Sequence, residues 1–89
     1  MKRVKIIISG EVQGVFFRAF VREKAVELGV NGYVQNRKDG KIEAVFEGKE
    51  KDVDELIKLC RVGPVAAKIS DVKVKEDKFL NEFSEFFVL

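Results

Sequence analysis

Two amphipathic helical stripes alternate with β-branched runs along this chain, and their order leaves few folds open. From Phe17 to Leu28 the apolar positions Phe17, Phe20, Val21, Ala25 and Leu28 form one helical face, and Gly29 sits where a helix-ending C′ glycine belongs. Val53, Leu56, Ile57 and Cys60 repeat that spacing, with Asp52 the expected N-cap and Gly63-Pro64 a firm stop. The intervening runs read as strands. Val4-Lys5-Ile6-Ile7-Ile8 is short and β-branched, and Val30 to Asn36 and Lys41 to Glu47 flank Arg37-Lys38-Asp39-Gly40, whose Asp-Gly pair signals a hairpin. Ile69 to Val74 gives a fourth strand, with Val72 and Val74 alternating against Lys73 and Lys75. Phe83 to Leu89 is a last apolar run that the pattern leaves open as a fifth strand.

The order β-α-β-β-α-β predicts an α+β fold of the ferredoxin-like, double split βαβ type. It is an α/β sandwich in which a mainly antiparallel sheet carries both helices on one face. At 89 residues the expectation is a single domain over 1–89. Net charge is only +2, from 17 basic and 15 acidic residues with the signs interleaved, which argues against nucleic acid or an anionic membrane as partner. No apolar run approaches the length of a membrane span, and Met1-Lys2-Arg3 is not followed by a signal-peptide core, so the expected location is the cytoplasm.

Residue usage narrows the chemistry further. Cys60 is alone, which removes intramolecular disulfides and cysteine-based zinc clusters. There is no histidine, so any catalysis runs without imidazole. Cys60 lies on an apolar helix face and reads as a buried structural thiol rather than a reactive one. The charged residues Glu47, Lys49, Glu50, Lys51, Asp52 and Asp54 read as a solvated loop and helix start.

The most informative stretch is Gly10-Glu11-Val12-Gln13-Gly14-Val15-Phe16-Phe17-Arg18. A strand feeds a two-glycine loop, and a helix begins at once with an arginine in its first turn. Unpaired N–H groups at a helix N-terminus, joined by a guanidinium, suit a compact dianion such as phosphate. The stretch is not a Walker A loop, because Gly10 and Gly14 are one residue too close and Val15 replaces the lysine, and it is not G-x-G-x-x-G. Two glycines merely turning a strand into a helix is the plainer reading. Against it, a first-turn cation opposes the helix macrodipole, which an anion would offset. The residues alone leave both readings open. Asn36 ends a strand just before the hairpin, where turn capping is the favoured role, although its carboxamide can both accept from and donate to a water molecule.

Gly10-Glu11-Val12-Gln13-Gly14-Val15-Phe16-Phe17-Arg18 resembles the acylphosphatase signature G-x-V-Q-G-V-x-F-R at every specified position. Gly32-Tyr33-Val34-Gln35-Asn36, with Gly40 and Gly48 following, is similar to that family's second motif, and Gly63-Pro64 followed by Ala67 resembles its stretch after the second helix. The resemblance covers almost the whole chain. It implies a phosphate bound by Arg18 and by the backbone N–H groups of Gln13, Gly14, Val15, Phe16, Phe17 and Arg18, with Asn36 orienting the attacking water. The implied reaction is hydrolysis of a small acyl phosphate to a carboxylate and inorganic phosphate, with no metal and no organic cofactor. The implied partners are that substrate and product alone, with no nucleic acid and no membrane, on a monomer. Many members of the family have glycine where this chain has Phe16, so a positive φ there would strain the backbone. The run Glu82 to Leu89 matches least clearly.

Three other readings compete. An RNA-recognition module of the same fold needs paired aromatics on its central strands, and the third strand offers only Phe46. A noncatalytic phosphate- or acyl-phosphate-binding regulatory domain would keep Arg18 but has no use for Asn36. The acylphosphatase-like domain of a carbamoyl-transfer maturation protein is also similar, and the chain length favours a free-standing enzyme.

Overall fold

The computed structural model describes residues 1–89, all of them placed. Strand β1 (Lys2–Glu11) buries Val4, Ile6 and Ile8 on one face, which is the period-2 pattern expected of a β-branched strand. Helix α1 covers Phe17–Leu28 and buries Phe17, Val21 and Ala25. Gly29 ends it in the left-handed region, and the N–H groups of Gly29 and Val30 donate to Val26 and Ala25 oxygens. Strands β2 (Asn31–Asn36) and β3 (Ile42–Gly48) form the Asp-Gly hairpin, pairing Asn36 with Ile42 and Asn31 with Glu47. Helix α2 (Glu50–Val62) buries Val53, Leu56, Ile57 and Cys60, and β4 (Lys68–Asp77) returns antiparallel to β1.

Strand β5 (Phe86–Val88) resolves the open question at the end of the chain. It pairs parallel to β2, matching Gly32 with Phe86 and Val34 with Val88. The sheet order is β4-β1-β3-β2-β5, with every other pairing antiparallel. The core lies between the sheet and the two helices, where Phe17, Phe46, Ile6 and Leu56 are fully buried. No helix is long and apolar enough to cross a membrane.

Two expectations need correction. The N-cap of α2 is Lys49, in extended conformation, and not Asp52. Asp52 lies inside the first turn with Glu50, where negative charge complements the macrodipole without capping an N–H. Glu47 is not solvated: it is 3% exposed, on the helix-free face of β3. Its carboxylate accepts from the N–H groups of Leu80 and Asn81 at 2.9 and 3.1 Å and of Glu82 at 2.9 Å, and from Arg3 Nη1 at 3.2 Å. Burial pushes this carboxyl up, but the amides of Leu80 and Glu82 and the Arg3 guanidinium outweigh it and hold it below the usual carboxylate value. One carboxylate thereby fastens the loop that leads into β5.

Candidate active site

The strand-to-helix loop takes its shape from two left-handed residues. β1 shifts register between Ser9 and Gly10, where a side chain on Gly10 would collide with the β4 backbone at Lys68. Gly14 (φ 74°) and Phe16 (φ 62°) then adopt positive φ two residues apart. Alternating backbone handedness of this kind turns successive N–H groups toward one side. Phe16 is the N-cap of α1, supplies no side-chain cap, and is 84% exposed.

The amides themselves carry the main observation. No main-chain N–H from Gln13 through Arg18 donates to an oxygen of any turn, loop or cap, the first such bond of the helix being Phe20 N–H to the Phe16 oxygen at 3.1 Å. Helix α1 also has no acidic residue in its first turn. A run of unpaired donors at the positive end of a helix, with a guanidinium beside it, suits a tetrahedral dianion.

Arg18, partly exposed, donates from Nη1 to the main-chain oxygen of Leu89 at 2.8 Å. Leu89 N–H in turn donates to the Val34 oxygen at 2.9 Å, which fixes Arg18 against β2. Val34 and Asn36 share one face of β2, because side chains alternate along a strand. The loop is tied to the hairpin a second time by Gln13. Its carboxamide donates to the carbonyls of Arg37 and Lys41 at 2.8 and 3.0 Å, on either side of the turn. Two separate ties thus bring the loop beside the end of β2.

Asn36 is exposed at that end, and its side chain takes part in none of the hydrogen bonds within the protein. The turn-capping role that its position suggested belongs to Asp39, whose Oδ1 accepts from Lys41 N–H at 3.1 Å. Arg37 N–H to the Lys41 oxygen and Gly40 N–H to the Arg37 oxygen complete the turn without Asn36. Its carboxamide is left free at the edge of the loop. Cys60 is buried, as read from the sequence, and burial pushes its thiol up to about 12. No three His, Cys, Asp or Glu side chains are grouped to hold a metal ion. Sequence reasoning missed Leu89 and the Gln13 carboxamide contacts, since both depend on main-chain oxygens distant in sequence.

A five-stranded, mainly antiparallel sheet backed by two helices, with a loop of unpaired amides entering the first helix, defines a ferredoxin-like α+β domain. Known proteins make that class specific. The acylphosphatase family model matches residues 4–88. An acylphosphatase of Syntrophus aciditrophicus is 46% identical over 89 residues, covering 100% of this chain and 93% of the relative. The crystal structure of acylphosphatase from Bacillus subtilis superposes with a TM-score of 0.96 at 34% identity, covering 100% of this chain and 99% of that one. The crystal structure of HypF from T. kodakarensis matches at 34% identity with a TM-score of 0.85, but the chain spans only 12% of it. The chain belongs to the acylphosphatase family.

Proposed function

We propose that this chain hydrolyses the carboxyl–phosphate bond of small acyl phosphates, with the phosphoryl group held by the Gln13–Arg18 amides and Arg18 and the water oriented by Asn36. Family membership supports the reaction. The residue roles rest on one observation above the others: the run of unpaired main-chain N–H groups that ends at Arg18.

The chemistry asks little more of the protein. A carboxylate is a good leaving group and departs without a strong acid to protonate it. Charge in the transition state spreads over the phosphoryl oxygens, so positioning and electrostatic stabilisation suffice. Fixed amides and a guanidinium stabilise that charge with no reorganisation at the moment of reaction. The Asn36 carboxamide oxygen accepts from the attacking water, and its NH2 donates to substrate or water, which aligns the oxygen with phosphorus. A phosphoryl oxygen receives the water's proton, so the absence of histidine is no obstacle. A domain that only binds phosphate needs Arg18 and the amides. It has no use for a carboxamide left free of every turn contact, and this favours catalysis.

The test is release of inorganic phosphate from acetyl and benzoyl phosphate, with and without a chelator. Turnover is expected to be unaffected by chelator and competitively inhibited by inorganic phosphate. Arg18→Lys should lose roughly 10²–10³-fold in kcat/KM, because lysine lacks the two-pronged planar fork. Asn36→Ala should lower kcat with little change in inorganic phosphate affinity. Near-normal turnover by Arg18→Lys, or an Asn36→Ala protein that fails to bind phosphate yet turns over normally, would overturn these roles.

A further inference from the structure

The face of the sheet that carries no helix has a second cationic feature, apart from the Arg18 loop. Register places Lys5 of β1 directly opposite Lys75 of β4, and Ile7 opposite Lys73. Arg37 reaches the same place from the hairpin, and together with Val74 these residues line a depression of about 300 Å³. The loop fastened by Glu47 covers the neighbouring part of this face, where Phe83 packs edge-on against Tyr33 at 5.8 Å, and stops short of the depression.

Lysines on an edge strand have an ordinary explanation, since they discourage pairing with another sheet. That accounts for Lys73 and Lys75 on β4. It does not account for Lys5 on the interior strand β1, for its placement directly across from Lys75, or for Arg37 arriving from a third segment. Like charges directly opposite one another destabilise a sheet. No carboxylate oxygen lies within 4.0 Å of the Lys73 or Lys75 ammonium, while Lys5 and Arg37 share Glu43, each at 3.7 Å, and Arg37 also pairs with Asp39 at 3.0 Å. Glu43 is itself committed: its other oxygen accepts from Tyr33 Oη at 2.7 Å and Gln35 Nε2 at 2.9 Å. Four cations therefore face two carboxylates, Glu43 and Asp39, and both of these are spent on Lys5 and Arg37, which leaves Lys73 and Lys75 without an ion-pair partner.

We infer that this depression is a second anion site, separate from the phosphoryl loop, and that it takes a linear inorganic polyphosphate of the di- or triphosphate kind. Lys73 and Lys75 lie two residues apart along β4, about 7 Å at the rise of a strand, so a chain of phosphoryl groups fits better than a single one. A nucleic acid strand fits worse, because the nearest rings are taken: Tyr33 packs on Phe83, and Arg3 lies 5.6 Å over the Phe83 ring.

Calorimetric titration of the full chain with inorganic triphosphate at low salt tests this, using three variants. Triphosphate binding should persist in Arg18→Ala, which disables the phosphoryl loop. It should weaken at least tenfold in the double variant Lys73→Gln, Lys75→Gln. It should change less than threefold in Lys49→Gln, Lys51→Gln, which removes the same charge from the α2 start. Backbone amide NMR shifts on titration should centre on Ile7 and residues 73–75. Absence of binding, loss of binding in Arg18→Ala, or equal weakening in both lysine double variants would each overturn the inference. The last outcome would mean a response to net charge alone.

Discussion

Replacing Phe16 by glycine and, separately, by alanine isolates the energy stored in the loop. At φ 62° any residue with a Cβ sits in the left-handed region, at a cost of about 1–2 kcal/mol relative to ordinary backbone. The ring is 84% exposed, so both substitutions remove nearly the same small amount of packing. They differ in backbone strain and in the freedom of the unfolded chain. Alanine keeps the strain, while glycine releases it and gives back about 0.5–1 kcal/mol in extra freedom of the unfolded chain. The glycine variant should therefore be more stable than the alanine variant by about 0.5–1 kcal/mol. For a domain of this size that is several degrees in Tm, at roughly 4–8 °C per kcal/mol. Urea unfolding of the two proteins side by side, with Tm as a second reading, measures the difference. In the interior of a helix the order reverses and alanine would win. If alanine equals or exceeds glycine here, Phe16 is not strained and this account of the loop fails.

Other consequences follow from the contacts around that loop. Gln13→Ala removes two hydrogen bonds to the hairpin and should cost about 1–3 kcal/mol of stability. It should also lower kcat/KM about tenfold as the loop and Asn36 lose their alignment, and unchanged turnover in a destabilised protein would limit the tie to folding. Glu47→Gln leaves buried N–H donors facing an amide and should cost about 3–5 kcal/mol in urea unfolding. The folded-state pKa of Glu47 is depressed, as is that of Glu43, which Tyr33 and Gln35 hold low against burial. Their contribution to stability is thus complete above about pH 4.5 and declines as pH falls through the lower folded values. The Gln variant should show a flatter loss of stability below pH 4.5. Cys60, with its thiol pushed up to about 12, should resist alkylation in the native protein at pH 8 and react on unfolding.

The elements that local pattern determines were legible. The stripe from Phe17 to Leu28 and Gly29 after it mark α1 to the residue, and Asp39-Gly40 marks the hairpin. Where two residues have the same local preference, the sequence does not choose between them: Glu50 and Asp52 both favour a first turn, while the chain enters α2 through Lys49. What depends on distant backbone was hidden. Alternation places Glu47 on one face with Glu43 and Val45, but nothing local tells that residues 80–82 fold across it. Strand β5 is three residues long and exists because β2 offers an edge. At the site, Arg18 stood out by type and place, whereas Asn36 read as a turn cap and was assigned a catalytic role only through the family resemblance. The Leu89 oxygen that holds Arg18 and the Asp39 cap that frees Asn36 appear only once the chain is folded.

The sheet order β4-β1-β3-β2-β5 sets the order in which the chain can assemble. Strand β1 precedes the other strands in the chain, yet its partners are the β3 register ending at Gly48 and the β4 register ending at Asp77. The β2–β3 hairpin is the only pairing close in sequence, and topology so rich in distant contacts slows folding. Until β4 arrives, the row of Val4, Ile6 and Ile8 waits with one backbone edge open, which is the interval of greatest exposure to aggregation. The Gln13–Arg18 loop hangs from the far end of β1, shaped where Gly10 meets β4, and its arginine is held by residue 89. In a growing chain Arg18 therefore cannot take its place against β2 until residue 89 has been added and β5 has formed.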